Sequence, residues 1–172
     1  MDLRATLKLA HRLLDDAKIE HALIGGLALA TYGSTRATVD LDLLIHESEA
    51  QNAKALLLKN GFSIEFESAE VLQFKGLGYV DLLLARRPIS QKMLRDAQGL
   101  GPEGIKVLKP EDIIGLKIQA YKNNPKRELQ DKTDIQFLIE NDDKLDWGRI
   151  KEYADLFNEW EVIRELKAKT QS

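Results

Sequence analysis

Val39-Asp40-Leu41-Asp42-Leu43-Leu44-Ile45 is the stretch on which the reading of this 172-residue chain turns. Its apolar residues predict a strand, and side chains alternate faces along a strand. Asp40 and Asp42 therefore project together, while Val39, Leu41 and Leu43 face the other way. Two carboxylates on one face repel each other, and aspartate is disfavoured in strands. A divalent cation would compensate, because Mg²⁺ is a hard ion held by one or two carboxylates together with substrate phosphates. The alternative is an exposed edge strand with a polar outer face. A calcium loop does not fit, since Leu44 takes the next alternate position and Ile45 the glycine slot of that motif.

A third acid bears on the choice. Asp81 lies within Tyr79-Val80-Asp81-Leu82-Leu83-Leu84, a charge in an otherwise apolar strand. An unpaired carboxylate there would be costly. If this strand runs beside the Asp40 strand, three carboxylates converge on a site for one or two metals, able to activate an attacking oxygen and stabilise a leaving pyrophosphate. Otherwise Asp81 starts an exposed strand end.

Upstream, His21-Ala22-Leu23-Ile24 reads as a buried strand that meets Gly25-Gly26 and then a short helix, Leu27 to Tyr32. A glycine turn between strand and helix aims backbone N–H groups at an anion such as a nucleoside triphosphate. It can equally be only a turn. No Gly-Lys-Ser/Thr follows, and no third glycine completes a dinucleotide fingerprint. Ser34-Thr35-Arg36-Ala37-Thr38 leads into Asp40; Arg36 is a candidate phosphate contact and Thr38 shares the strand face of Asp40, unless both belong to a polar loop.

Periodicity supplies the remaining elements. Helices are expected over 2–17, 47–60, 111–121, 129–140 and 147–167, and strands over 62–67, 71–75, 79–85 and 105–108. Gly76-Leu77-Gly78 suggests a hairpin, and Pro88 to Gly104 a loop with some helix. The expected plan is an α/β core over 1–108 with a mixed sheet flanked by helices, and a helical lobe over 109–172 packed on it.

Composition bounds the function. Net charge is -3, which argues against a passive, charge-driven nucleic-acid binder. One local basic cluster, Arg86, Arg87, Lys92 and Arg95, either docks a phosphate-bearing acceptor or is an ordinary solvated loop. Cysteine is absent, so thiolate metal sites and thiol nucleophiles are excluded. No apolar run is long enough to cross a bilayer and no signal-peptide pattern opens the chain, so a soluble cytoplasmic protein without a membrane partner is expected. His11, His21 and His46 show no ligand spacing, and Trp147 and Trp160 read as packing residues.

In order, Ile24-Gly25-Gly26, Asp40-Leu41-Asp42 and Val80-Asp81-Leu82 resemble the nucleotidyltransferase superfamily, with its DNA polymerase β-like fold. The segment Arg36 to Asp42, with Pro110 to Lys117, Asn124 to Arg127 and Asp131 to Ile135, looks like the bacterial AbiEii-type abortive-infection branch. The resemblance implies transfer of a nucleoside monophosphate from an NTP to an acceptor hydroxyl with Mg²⁺ or Mn²⁺. Asp40, Asp42 and Asp81 would hold the metals, and Asp81 would also assist deprotonation of the acceptor. Gly25 and Gly26 would hold the triphosphate through their backbone, and Lys117 would stand near the phosphates. Lys117 reads equally as a solvated lysine. Asp131 and Asp134 match a second acidic motif, yet three apart on a helix they also suit pairing with Arg127 or Lys132. Many members carry Ser where Gly26 stands.

The resemblance implies tRNA or a protein as acceptor, in a toxin with a cognate antitoxin. A small-molecule transferase of the aminoglycoside type, and a degenerate binding module, are the competing functions.

Overall fold

The computed structural model describes residues 2–170. The chain forms two compact units, one ending at Leu108 and one beginning at Lys109.

In the first unit, the apolar runs form a six-stranded mixed sheet. Its strands are β1 (His21–Leu23), β2 (Asp40–His46), β3 (Ser63–Glu67), β4 (Val71–Lys75), β5 (Tyr79–Ala85) and β6 (Lys106–Val107). Their spatial order is β3-β4-β5-β2-β1-β6. β2 runs parallel to β5 and β1 parallel to β6, whereas the other neighbours are antiparallel. The expected mixed sheet is present, and the turn at Gly76-Leu77-Gly78 is a hairpin closed by Gly76 N–H donating to the Gly78 carbonyl.

Alternation gives the sheet two unlike faces. Leu41, Leu43 and Ile45 of β2, Val80 and Leu82 of β5, and Leu72 and Phe74 of β4 are buried. Each such side chain contributes roughly 1.5–3 kcal/mol relative to leaving it in water. Helix α1 (Leu3–Asp16) packs against β2 and β5 and touches α3 (Ala50–Lys59), burying Leu7, Ala10 and Leu14 beside Ala53 and Leu57. The opposite face keeps Asp40, Asp42, Gln73, Tyr79 and Asp81 half-buried. Alternation therefore gives one face to the core and sets the acids of β2 and β5 on the other.

Two local details differ from the expected elements, and a third gives bounds to one of them. Helix α2 (Gly25–Thr31) starts at the glycine pair itself rather than after it. The segment expected as one helix from residue 47 opens with a 3-10 turn at Glu47–Glu49, because the His46 side chain accepts from Ser48 N–H, and becomes α-helical only at Ala50. Helix α4 (Pro88–Arg95) is the helical part of the stretch expected as loop with some helix; Pro88 is set at its start and Ser90 Oγ accepts from Arg87 N–H.

The second unit is helical: α5 (Pro110–Asn123), α6 (Glu128–Asn141), α7 (Trp147–Leu156) and α8 (Trp160–Thr170). One continuous helix was expected across 147–167. The chain instead breaks after Leu156, where Asn158 adopts φ +57°, a left-handed conformation that asparagine tolerates. Its core holds Ile113, Ile114, Ile118, Ile135, Leu138, Ile150 and Ile163. Gly115 lets α5 approach α7 closely, since a Cβ there would lie 2.6 Å from the Tyr153 ring.

Candidate active site

The three aspartates are brought to one face by register. Asp42 and Asp81 are partners across the parallel β2–β5 ladder, and Asp40 stands two residues before Asp42 on the same face. Neighbouring strands lie about 4.8 Å apart, so the Asp40 charge acts on Asp81. Burial raises the Asp81 carboxyl above its ordinary value, the Asp40 charge adds to that, and a hydrogen bond from Gln73 works against it.

Each carboxylate has its own setting. Gln73, the register partner of Asp81 on β4, donates from Nε2 to Asp81 Oδ2 at 2.7 Å. Asp42 lies against Gly25: a Cβ at Gly25 would fall 2.1 Å from Asp42 Oδ2, and Gly25 has φ +63°. Only glycine meets both conditions. Ile24 N–H donates to the Asp42 carbonyl at 3.1 Å, which carries the ladder up to the glycine pair. Gly26 is crowded as well, since a Cβ there would lie 2.6 Å from Thr38 Cβ and 2.7 Å from Thr38 Oγ1.

The donors are hard carboxylate oxygens on adjacent strands, a set that fits Mg²⁺. Among the described residues, however, no three His, Cys, Asp or Glu side chains stand close enough together to hold an ion. Register brings the three aspartates to one face without gathering them into such a group. Arg36 is exposed on the segment between Gly33 and β2, where its own N–H donates to Ser34 Oγ.

Lys117, expected near phosphate, is buried in the second unit with 6% of its surface exposed. Its ammonium donates to Asp131 at 2.9 Å and Asp134 at 2.6 Å. Arg127 adds a second cation to Asp131 at 3.1 Å, while Lys132 pairs with Glu128. The second acidic motif thus builds a charge-balanced core for the lobe. Asp112 is held likewise by Arg149 and the Tyr153 hydroxyl. Trp147 and Trp160 carry the side chains of Lys167 and Lys151 over their rings, in keeping with packing.

Three of the four cations of the basic cluster have an acid beside them at the surface. Arg86 pairs with Glu47, Arg87 with Glu70 and Lys92 with Asp96. An open groove of about 550 Å³ elsewhere in the first unit, along α1, is lined by Lys8, Arg12, Asp15 and Glu103 among others. Its mixed charges set up no single-sign field, and none of the aspartates of the β2–β5 face lines it.

Gln73 is the site residue that composition and motif did not single out. A usable signal exists: counting four residues either way from Leu77, at the centre of the hairpin, reaches Gln73 and Asp81.

No helix of the described residues is long and apolar enough to cross a membrane. A family model described as an uncharacterised nucleotidyltransferase matches residues 1–162. No curated protein matches the chain. Among solved structures, ANT(2″)-Ia in complex with adenylyl-2″-tobramycin superposes with a TM-score of 0.61 at 17% identity, over 99% of this chain and 98% of that one. The lincomycin-bound lincosamide antibiotic adenylyltransferase LnuA gives 0.53 at 19% identity, over 77% and 93%. A Thermotoga maritima protein assigned as a nucleotidyltransferase gives 0.53 at 15%, over 76% and 93%. At such identities the structural likeness speaks for the fold, while the family model speaks for the sequence. The chain belongs to this nucleotidyltransferase family.

Proposed function

We propose that the chain transfers a nucleoside monophosphate from an NTP to an acceptor hydroxyl, with Mg²⁺ or Mn²⁺ at Asp40, Asp42 and Asp81. The observation that carries this reading is the register pairing of Asp42 with Asp81 on adjacent strands, with Asp40 on the same face. Held by these carboxylates, the metal would neutralise phosphate charge and make the acceptor hydroxyl easier to deprotonate. Gly25 and Gly26 offer backbone N–H groups to the triphosphate, and exposed Arg36 offers a guanidinium. Asp81 takes the proton of the acceptor hydroxyl as that oxygen attacks the α-phosphorus and pyrophosphate departs. Lys117 we assign to the lobe, since two carboxylates already balance its charge.

For the acceptor, the pairing of Arg86, Arg87 and Lys92 with acids favours a small hydroxyl compound over a polyanion such as tRNA. The near-complete mutual coverage with ANT(2″)-Ia supports the same choice. The sequence likeness of residues 36–42 and 110–135 to abortive-infection proteins supports the other reading, a toxin that modifies tRNA or protein and is restrained by an antitoxin.

The test is transfer of label from each α-³²P NTP, with Mg²⁺, to aminoglycosides and lincosamides, to total tRNA and to cell protein. Label on the small molecules alone supports the first acceptor. Label on tRNA or protein, with growth arrest on expression that Asp42→Ala relieves, supports the second. Transfer from none of the four NTPs, and no Mg²⁺-dependent nucleotide binding, would overturn the proposed activity.

A further inference from the structure

Asp81 is the candidate base, and a base must present one oxygen in a fixed direction. β5 lies between β4 and β2. Gln73, directly opposite Asp81 on β4, ties down Oδ2 with a 2.7 Å hydrogen bond. The bond from β4 therefore holds Oδ2 and leaves Oδ1 out of it, while Asp42 is the register partner of Asp81 on the other side, in β2. A carboxylate otherwise turns about its last torsion with a broad, twofold profile, so one fixed oxygen decides where the second one points.

From this arrangement we infer that Gln73 is a positioning residue for the transfer step. It holds Asp81 so that Oδ1 meets the acceptor hydroxyl, receives its proton as the new O–P bond forms, and lets pyrophosphate leave with the electrons of the broken P–O bond. The inference rests on the activity proposed above. Two features set Gln73 apart from an ordinary polar strand residue. It is half-buried in mid-strand between the buried Leu72 and Phe74, and it uses its amide donor on the one acid of β5. A glutamate there would match it in shape and repel Asp81, whereas an amide donates without adding charge.

The test uses the full chain carrying Gln73→Met, which keeps the length and removes the donor, and Gln73→Glu, which keeps the shape and reverses the interaction. Supporting partners of functional carboxylates typically carry about 10- to 100-fold in activity. Both variants are expected to lose that factor in kcat, with KM for the NTP within about twofold and melting within about 3 °C of the parent. Wild-type kcat in Gln73→Met overturns the inference, as does a loss that appears wholly in KM or a melting drop beyond that range with kcat intact.

A second measurement does not need turnover. The Gln73 side-chain NH₂ signals in a ¹H–¹⁵N spectrum should be displaced in the parent and return to the positions of a free amide in Asp81→Ala. Signals that do not respond to Asp81→Ala overturn the pairing. Parent protein that pairs normally but transfers nothing overturns the proposed activity instead, so the two failures are told apart.

Discussion

A β-carbon at position 26 would lie 2.7 Å from Thr38 Oγ1 and 2.6 Å from Thr38 Cβ. Gly26 and Thr38 therefore share one space, and Thr38 fills it. The glycine that departs from the serine of many nucleotidyltransferases is explained by its neighbour. The hydroxyl that position 26 lacks is present on the other side of the same gap.

The pair predicts a reciprocal swap. Gly26→Ser forces a side chain into occupied space, and overpacking of this kind costs typically about 1–3 kcal/mol. Thr38→Gly empties that space, so Gly26→Ser with Thr38→Gly should recover part of the loss. Urea unfolding of the two single variants and the double variant gives the coupling, expected at about 0.5–3 kcal/mol for residues in contact. Strictly additive losses would show that the two positions do not compete.

Asp40 and Asp81 sit on one face, and after burial it is the Asp40 charge that raises the pKa of Asp81. In the absence of metal this is a repulsion that folding must carry. Asp40→Asn should therefore abolish transfer while leaving the fold as stable as the parent, or more stable by on the order of 0.5 kcal/mol, which is about 1–2 °C in melting for a chain of this size. Thermal melts in EDTA check the sign. A large fall in melting temperature would mean that Asp40 is structural rather than functional.

Lys117 offers the opposite case. Its ammonium is enclosed with Asp131, which has no exposed surface, and Asp134. Removing one member of such a cluster strands the others, at a cost of about 3–5 kcal/mol. Lys117→Met should lose this much in chemical unfolding, with and without NTP. If Lys117 instead contacts phosphate, the variant will melt normally and show a raised KM for the NTP.

Much of this was legible in the sequence because period and chemistry agreed. Alternation in Val39 to Ile45 put Asp40 and Asp42 on one face, and the strand limits of β4 and β5 followed from Val71 to Lys75 and Tyr79 to Ala85. The adjacency of β5 and β2 was not a matter of local pattern, because parallel pairing joins segments far apart in sequence; it came from the family resemblance and is present in the sheet. Lys117 was ambiguous for a related reason. A lysine on an amphipathic helix looks solvated until Asp131 and Asp134, on the next helix, are seen to meet it. The break at Asn158 has no local signature, because asparagine in a polar helical stretch carries no obligatory stop signal.

His21 supplies a pH dependence away from the site. Its Nδ1 lies 2.7 Å from the Ile19 carbonyl, which can only accept, so Nδ1 carries a proton. Its Nε2 lies 2.7 Å from His11 Nδ1 and must then accept from it in the neutral pair. Burial, with the His11 charge as a smaller contribution, lowers the pKa of His21 below the usual 6.5, against the Ile19 hydrogen bond and the charges of Asp15 and Glu20. The folded state thus resists protonation more than the unfolded chain does. The stability that neutral His21 contributes is full above about pH 6.5 and is lost as pH falls toward the lower folded value. Melting temperature should fall between about pH 7 and pH 5, and His21→Gln, which can still accept from His11, should flatten that part of the profile. An unchanged slope in His21→Gln would assign the acid sensitivity to other groups.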